Sequence, residues 1–263
     1  MWTRSLLKTN AKAALSHTYW VAFAACLLAG FLGAGASLPS FRVSYSFSQG
    51  GGAFYYLPHQ FAAVMLLFVL FGLLIGLGLS IFVSAPIQVG CNRLFMENRL
   101  GNAPLTSIFS TFRGPYLNVV KVMFLTNLKI FLWALLPVAA AVFLGVFSRW
   151  LSLLLFAAII PAIIKAYQLS MVGFLLAENP YLTAQRAQEL STVMTQGEKW
   201  DIFVLGLSFL GWAVLCIFTC GIGALFLAPY IRATQAELYA ALRAKAFSLG
   251  ITDETELSDF IRY

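Results

Sequence analysis

Arg232 and Glu237 are the residues of this chain whose types and spacing come closest to chemistry. They follow Pro229 in a helical pattern that continues to Arg243. Being five residues apart, they do not face each other on one helix, where pairs form at separations of three or four. Each therefore needs a partner on a neighbouring helix, and Arg93, Lys165 and Asn92 are suitable in character. This predicts a polar cluster of Arg93, Lys165, Arg232 and Glu237 at the cytoplasmic side of a helix bundle. Ionisable groups near a membrane are functional suspects. Lys129 and Lys165 are the deepest lysines, but both fall near helix ends, where a long side chain reaches the headgroups by snorkelling.

Most other chemistry is excluded. No Walker loop, HExxH pair, nucleophile elbow or paired-carboxylate site occurs. All ten Asp and Glu lie outside the long apolar runs. Without an acid–base pair no enzyme is expected, and no cofactor or metal is implied. Cys216 and Cys220 are one helical turn apart with no histidine nearby. They read, like Cys26 and Cys91, as buried apolar cysteines. His59 stands alone.

The elements that must position these residues are apolar runs at Tyr19–Ala36, Phe61–Val83, Ile130–Phe147, Trp150–Ile164 and Ile202–Leu227. The chain is 60% apolar and only 10% charged, against roughly 25% charged in soluble domains. Runs of this length match a hydrocarbon core of about 30 Å. The fold class is therefore all-α, a polytopic transmembrane bundle with short interfacial amphipathic helices. The net charge of +7 reads as orientation and attraction to anionic headgroups, with no nucleic-acid partner.

Arg and Lys counts place the N-terminus in the cytoplasm. Arg4, Lys8 and Lys12, then Arg93, Arg99, Arg113 and Lys121, then Arg186 and Lys199 mark the inner side, while 37–60 carries only Arg42. The last run holds Thr219, Gly221 and Gly223, which suit a tight turn. A hairpin there returns Arg232, Arg243 and Lys245 to the cytoplasm. Six spans follow, at about 19–36, 61–84, 128–147, 150–172, 201–218 and 221–240, within one membrane domain over 1–249. Residues 250–263 form a short acidic cytoplasmic tail, expected to fray. The first run exceeds an ordinary signal-peptide core, so it is expected to stay uncleaved.

Several segments lie between or beside the spans. Arg4, Lys8 and Lys12 recur every fourth residue, with Leu7, Ala11, Ala14 and Leu15 on another face. This predicts an amphipathic helix in the interface, its cations contacting anionic headgroups. Phe41, Val43, Tyr45 and Phe47 alternate with polar residues as in a strand, before Gly50–Gly52. Residues 98–118 suggest a short interfacial helix and a break. Residues 180–196 suggest another, capped by Asn179 and stopped by Gly197. Gly72 and Gly76 form a GxxxG pair, expected to serve close packing mostly within the chain.

Several strings together resemble a family of bacterial membrane proteins known as domain of unknown function 975. They are Tyr116-Leu117-Asn118-Val119-Val120-Lys121, Ile160-Pro161-Ala162-Ile163-Ile164-Lys165-Ala166-Tyr167, Ala177-Glu178-Asn179-Pro180, Leu207-Ser208-Phe209-Leu210-Gly211-Trp212, and Pro229-Tyr230 leading to Ala236-Glu237-Leu238-Tyr239. The resemblance covers nearly the whole chain. It implies a bacterial plasma-membrane protein and brings no established activity or catalytic residues. Two readings follow. The first is a non-enzymatic membrane scaffold or accessory protein acting through lipid or protein contacts. The alternative is a permease or lipid-handling protein, which needs a polar cavity drawn from Asn118, Asn127, Gln168, Arg232 and Glu237. A closed apolar bundle would argue against the alternative.

Overall fold

The computed structural model describes residues 2–33, 59–101, 103–147, 160–219 and 221–257. All the regular secondary structure among them is helical. α1 (Arg4–Leu15) and α2 (Tyr19–Phe31) meet at a bend of 99°. α3 (His59–Leu79) runs through a π-helical turn, Ser80–Ser84, into α4 (Ala85–Asn98). A 3-10 turn (Leu105–Phe109) and the short α5 (Ser110–Arg113) lead to α6 (Tyr116–Phe147). α7 (Ile160–Gln168), α8 (Val172–Glu178) and α9 (Ala184–Met194) follow, then α10 (Lys199–Leu207), α11 (Leu210–Phe218) and α12 (Ile222–Ser248).

The π turn has a cause in the sequence. Pro86 has no amide hydrogen to give to the carbonyl four residues back, that of Phe82. The Tyr116 hydroxyl donates to that carbonyl instead. The carbonyl that Pro86 leaves without its bond thus ties α6 to the α3–α4 rod.

Four stretches are long and apolar enough to cross a membrane: Val64–Asn98, Tyr116–Ala140, Ile160–Glu178 and Lys199–Cys216. The bent pair α1–α2 makes a fifth if counted as one span. Among the described residues the expected sixth span, α12, which carries Arg232, Glu237, Arg243 and Lys245, does not pass this test of length and hydropathy. Its predicted start holds. Gly221 sits at φ 86° in the left-handed region that glycine tolerates, its amide donates to Cys216 O at 2.9 Å, and α12 begins at Ile222.

α4 and α12 lie side by side at the centre, flanked by α1, α2, α8 and α9. Leu94, Met96, Ala236, Tyr239 and Ala240 are fully buried between them and their neighbours. At Gly90, α4 comes up against the 3-10 turn. A side-chain carbon there would lie 1.8 Å from the Ile108 carbonyl oxygen. By contrast, every residue from Val64 to Leu77 is exposed. Among the described residues, the close packing expected at Gly72 and Gly76 does not occur: nothing lies within 4 Å of a carbon added at either.

Other expectations shift. The apolar face of α1 is as predicted, with Leu7, Ala11 and Leu15 buried, but α12 covers it rather than lipid. α6 starts at Tyr116, so residues 116–127 belong to the long helix and not to a separate interfacial segment. α9 is capped by Thr183, whose hydroxyl accepts from Arg186 N, and not by Asn179. Asn179 closes the preceding turn by accepting from Tyr181 N. The tail does not fray over 251–257, where Leu257 is fully buried. The predicted strand in 37–60 lies almost wholly outside the described residues, and His59 begins α3.

Candidate functional site

The predicted polar cluster does not form as one unit. Arg232 is buried and donates to Asn92 Oδ1 at 3.3 Å, one of the partners the sequence suggests. Glu237 is held instead by Arg99, whose Nε and Nη2 donate to its two oxygens at 2.6 and 3.2 Å. Arg93 turns along its own helix to Glu97, at 3.0 Å, and Ser107 caps the other Glu97 oxygen. Lys165 lies over the Trp133 ring, 5.2 Å from its centroid, and Lys129 donates to Gln188 Oε1 at 2.9 Å. The four residues are thus divided among different partners because each helix offers a nearer one.

A second buried pair escaped the sequence. Glu178, at the end of α8, accepts from the Tyr239 hydroxyl at 2.6 Å and from Arg243 at 2.9 and 3.1 Å. Its side chain is 0% exposed. The only signal was weak: a glutamate beside Asn179-Pro180 reads as a helix boundary, and Tyr239 and Arg243 share a face at a separation of four. These contacts fasten α8 to α12 and are structural.

What remains is space rather than a reactive group. A cavity of about 740 Å³ opens between α4, α6, the α7–α8 turn, α10, α11 and α12. Gln88 and Asn92 on α4, Thr126 and Asn127 on α6, and Arg232, Thr234 and Gln235 on α12 are polar residues of its lining, with Tyr167 and Ser170. Leu169, Phe174, Phe203 and Leu227 are among its apolar residues. Arg232 carries the one formal charge among the described lining residues. The same residue borders a second, apolar cavity of about 400 Å³ between α2, α4 and α12, lined by Phe23, Leu27, Leu225 and Ile231 with Cys26 and Cys91. Of the residues named for a polar cavity, Asn127 and Arg232 line it. Asn118 is used elsewhere, donating to Pro180 O and Leu182 O at 2.8 and 2.9 Å. Gln168 is not in the lining, and Glu237 faces Arg99. Gln88 could have been found: it lies one turn before Asn92, already a candidate partner for Arg232, on a helix otherwise rich in apolar residues.

Arg4, Lys8 and Lys12 are placed by α1. Lys8 Nζ sits 4.7 Å from the Phe209 ring centroid and Lys12 Nζ 5.9 Å from that of Tyr230. Among the described residues no cluster of three or more His, Cys, Asp or Glu could hold a metal ion.

The family model described as "Protein of unknown function (DUF975)" matches residues 1–246. No curated protein and no solved structure matches the chain.

Proposed function

The chain belongs to the DUF975 family, and from that premise we propose that it is a non-enzymatic, multi-pass protein of the bacterial plasma membrane that holds an anionic amphiphile between its helices. The carrying observation is the cavity of about 740 Å³, whose lining joins Arg232 and a few uncharged polar residues to many apolar side chains. A site of that size, mostly apolar with a few convergent polar groups, is how proteins hold small amphiphiles. A cation in such surroundings favours an acidic headgroup. The adjoining apolar cavity that Arg232 also borders offers room for a chain. These features support the lipid-handling reading over a scaffold that acts by surface contacts alone.

The orientation rests on the distribution of Arg and Lys. The charged ends of α4, α9 and α12 face the cytoplasm with both termini, and the α11–α12 hairpin dips into the bilayer and returns as the sixth helix. A reporter fused to the C-terminus should be active only inside the cell.

Native mass spectrometry of the gently extracted protein tests the main reading. The wild type should retain an acidic amphiphile, and Arg232→Gln should lose it while its helical content is unchanged. A wild type that retains nothing, or an Arg232→Gln protein with equal occupancy, would overturn it.

A further inference from the structure

A third space lies on the surface of the bundle, away from Arg232. It is a groove of about 680 Å³ between the α1–α2 corner, α11 and α12. Lys12, Ser16 and Tyr19 line it on α1–α2, and Trp212, Leu215 and Phe226 supply apolar walls. Tyr230 of α12 lies beside Lys12, and Gly223 and Thr219 close the hairpin end. From Tyr230 to Gly223, α12 covers about 10 Å at ~1.5 Å per residue. Trp212 to Phe218 covers about 9 Å on α11, running the other way. The groove is thus a lane with a cation at one end and an apolar run below it.

The cation is fixed in place. Leu7, Ala11 and Leu15 are 1%, 0% and 5% exposed because α12 covers them. α1 is therefore held by the protein and is not free to slide on a membrane. Lys8 and Lys12 stand one turn apart, over Phe209 and Tyr230, and these two rings meet edge to face at 5.6 Å. Arg4 continues the same stripe. Trp20, directly after Tyr19, is 73% exposed, as an indole at headgroup level is.

We propose that this groove binds an anionic phospholipid, with its phosphate at Lys12 and Lys8 and an acyl chain along Trp212, Leu215 and Phe226. Charge complementarity selects the occupant. Lys12 is the one formally charged residue among the described lining, and an ammonium beside an apolar lane matches an anionic headgroup above a chain. The Ser16 hydroxyl, which now donates to Ala13 O at 2.7 Å, keeps acceptor capacity and can turn to donate to a phosphate oxygen. The groove and the large cavity share Cys216 and Leu227 in their walls, but Arg232 lines only the cavity. The two sites therefore respond to different substitutions.

The test uses the full chain in nanodiscs and phospholipids with brominated acyl chains, which quench tryptophan on contact. One probe has an anionic phosphoglycerol headgroup and the other a zwitterionic phosphocholine. The Trp212 signal is the wild-type fluorescence minus that of Trp212→Phe. The anionic probe should quench it at a several-fold lower mole fraction than the zwitterionic one. Each lysine is worth about five-fold near an anionic headgroup. Lys8→Gln with Lys12→Gln should abolish the preference, and Arg232→Gln should leave it unchanged. Equal quenching by both probes in the wild type, or a preference that survives the double lysine substitution, would overturn the proposal. Loss of the preference in Arg232→Gln would also overturn it, because the lipid contacting Trp212 would then belong to the cavity.

Discussion

Gly72 and Gly90 lie on one helical stretch, Val64–Asn98, in opposite surroundings. A carbon added at Gly90 meets the Ile108 carbonyl at 1.8 Å, while one added at Gly72 meets nothing within 4 Å. The difference divides the molecule. Its charged end, built from α1, α4, α8, α9 and most of α12, has the dense interior of a water-soluble domain, crossed by ion pairs such as Arg99–Glu237 and Arg243–Glu178. Its apolar end, built from α3 and the far part of α6, leaves large side chains such as Phe68, Phe71 and Leu136 open to the surroundings. Water would not tolerate so large a contiguous apolar surface, whereas lipid solvates it. The charged end must exclude water by its own packing, and the apolar end need not.

The strongest way to break this comparison is to remove the carboxylate of a buried ion pair at the charged end. Glu178→Ala leaves Arg243, whose side chain is only 10% exposed, without its carboxylate, and Tyr239 without its acceptor. Removing one partner of a buried pair costs about 3–5 kcal/mol. Unfolding in mild detergent should register that loss. A change under about 1 kcal/mol would mean that the site is wet and the charged end is no true interior.

The two glycines supply the next test. In an exposed helix alanine is favoured over glycine, so propensity alone would stabilise both Gly72→Ala and Gly90→Ala. At Gly90 sterics should win, because the opposing atom is a backbone oxygen that cannot rotate away. The expected cost is about 3 kcal/mol. Gly72→Ala should be neutral or stabilising, by up to about 1 kcal/mol. Equal losses at both positions would show that α3 is packed as tightly as α4, which would erase the distinction.

How far the sequence revealed this division depends on the range of the interaction. Local signals were legible. The Gly221 turn, the start of α12 at Ile222 and the buried face Leu7–Ala11–Leu15 all follow from spacing and residue type. The occupant of that face was not legible, since α12 and lipid satisfy the same apolar stripe. Partners far apart in sequence were read in part. Arg232–Asn92 was among the options, but Glu237 chose Arg99, 138 residues away, over the candidates on other helices. The Gly72–Gly76 spacing permits close packing without saying whether a neighbour is present. The cavity was the hardest feature to see, because its polar lining takes two or three residues from each of three helices. No single segment shows more than a fragment of it.

The smallest expected effect sharpens the boundary of the charged end. Glu256 is clasped by Arg186 through Nε at 2.7 Å and Nη2 at 2.9 Å, and Arg186 also donates to Ile251 O at 3.0 Å. Thr252 donates to the same carboxylate, and Asn179 donates to Glu256 O at 2.7 Å. The Arg186 hydrogen bonds hold the Glu256 carboxyl below its usual range, and the same bonds push the Arg186 guanidinium up. A carboxyl with a depressed folded pKa contributes stability that is present above its unfolded pKa and lost as pH falls through the folded one. The clasp should therefore hold at neutral pH and open on acidification below about pH 4. The pair is partly exposed, so its whole contribution should be no more than about 1 kcal/mol. Hydrogen exchange at Ile251–Leu257 should rise over that window in the wild type. In Glu256→Gln it should be raised already at neutral pH and show a smaller acid step, the remainder belonging to Asp253, whose Oδ1 accepts from Thr255 N and Glu256 N in the same segment. If the amides of α4 opened with the tail over the same window, residues 251–257 would be part of the interior. If the tail opens alone, the dense end of the molecule stops at the Arg186 clasp.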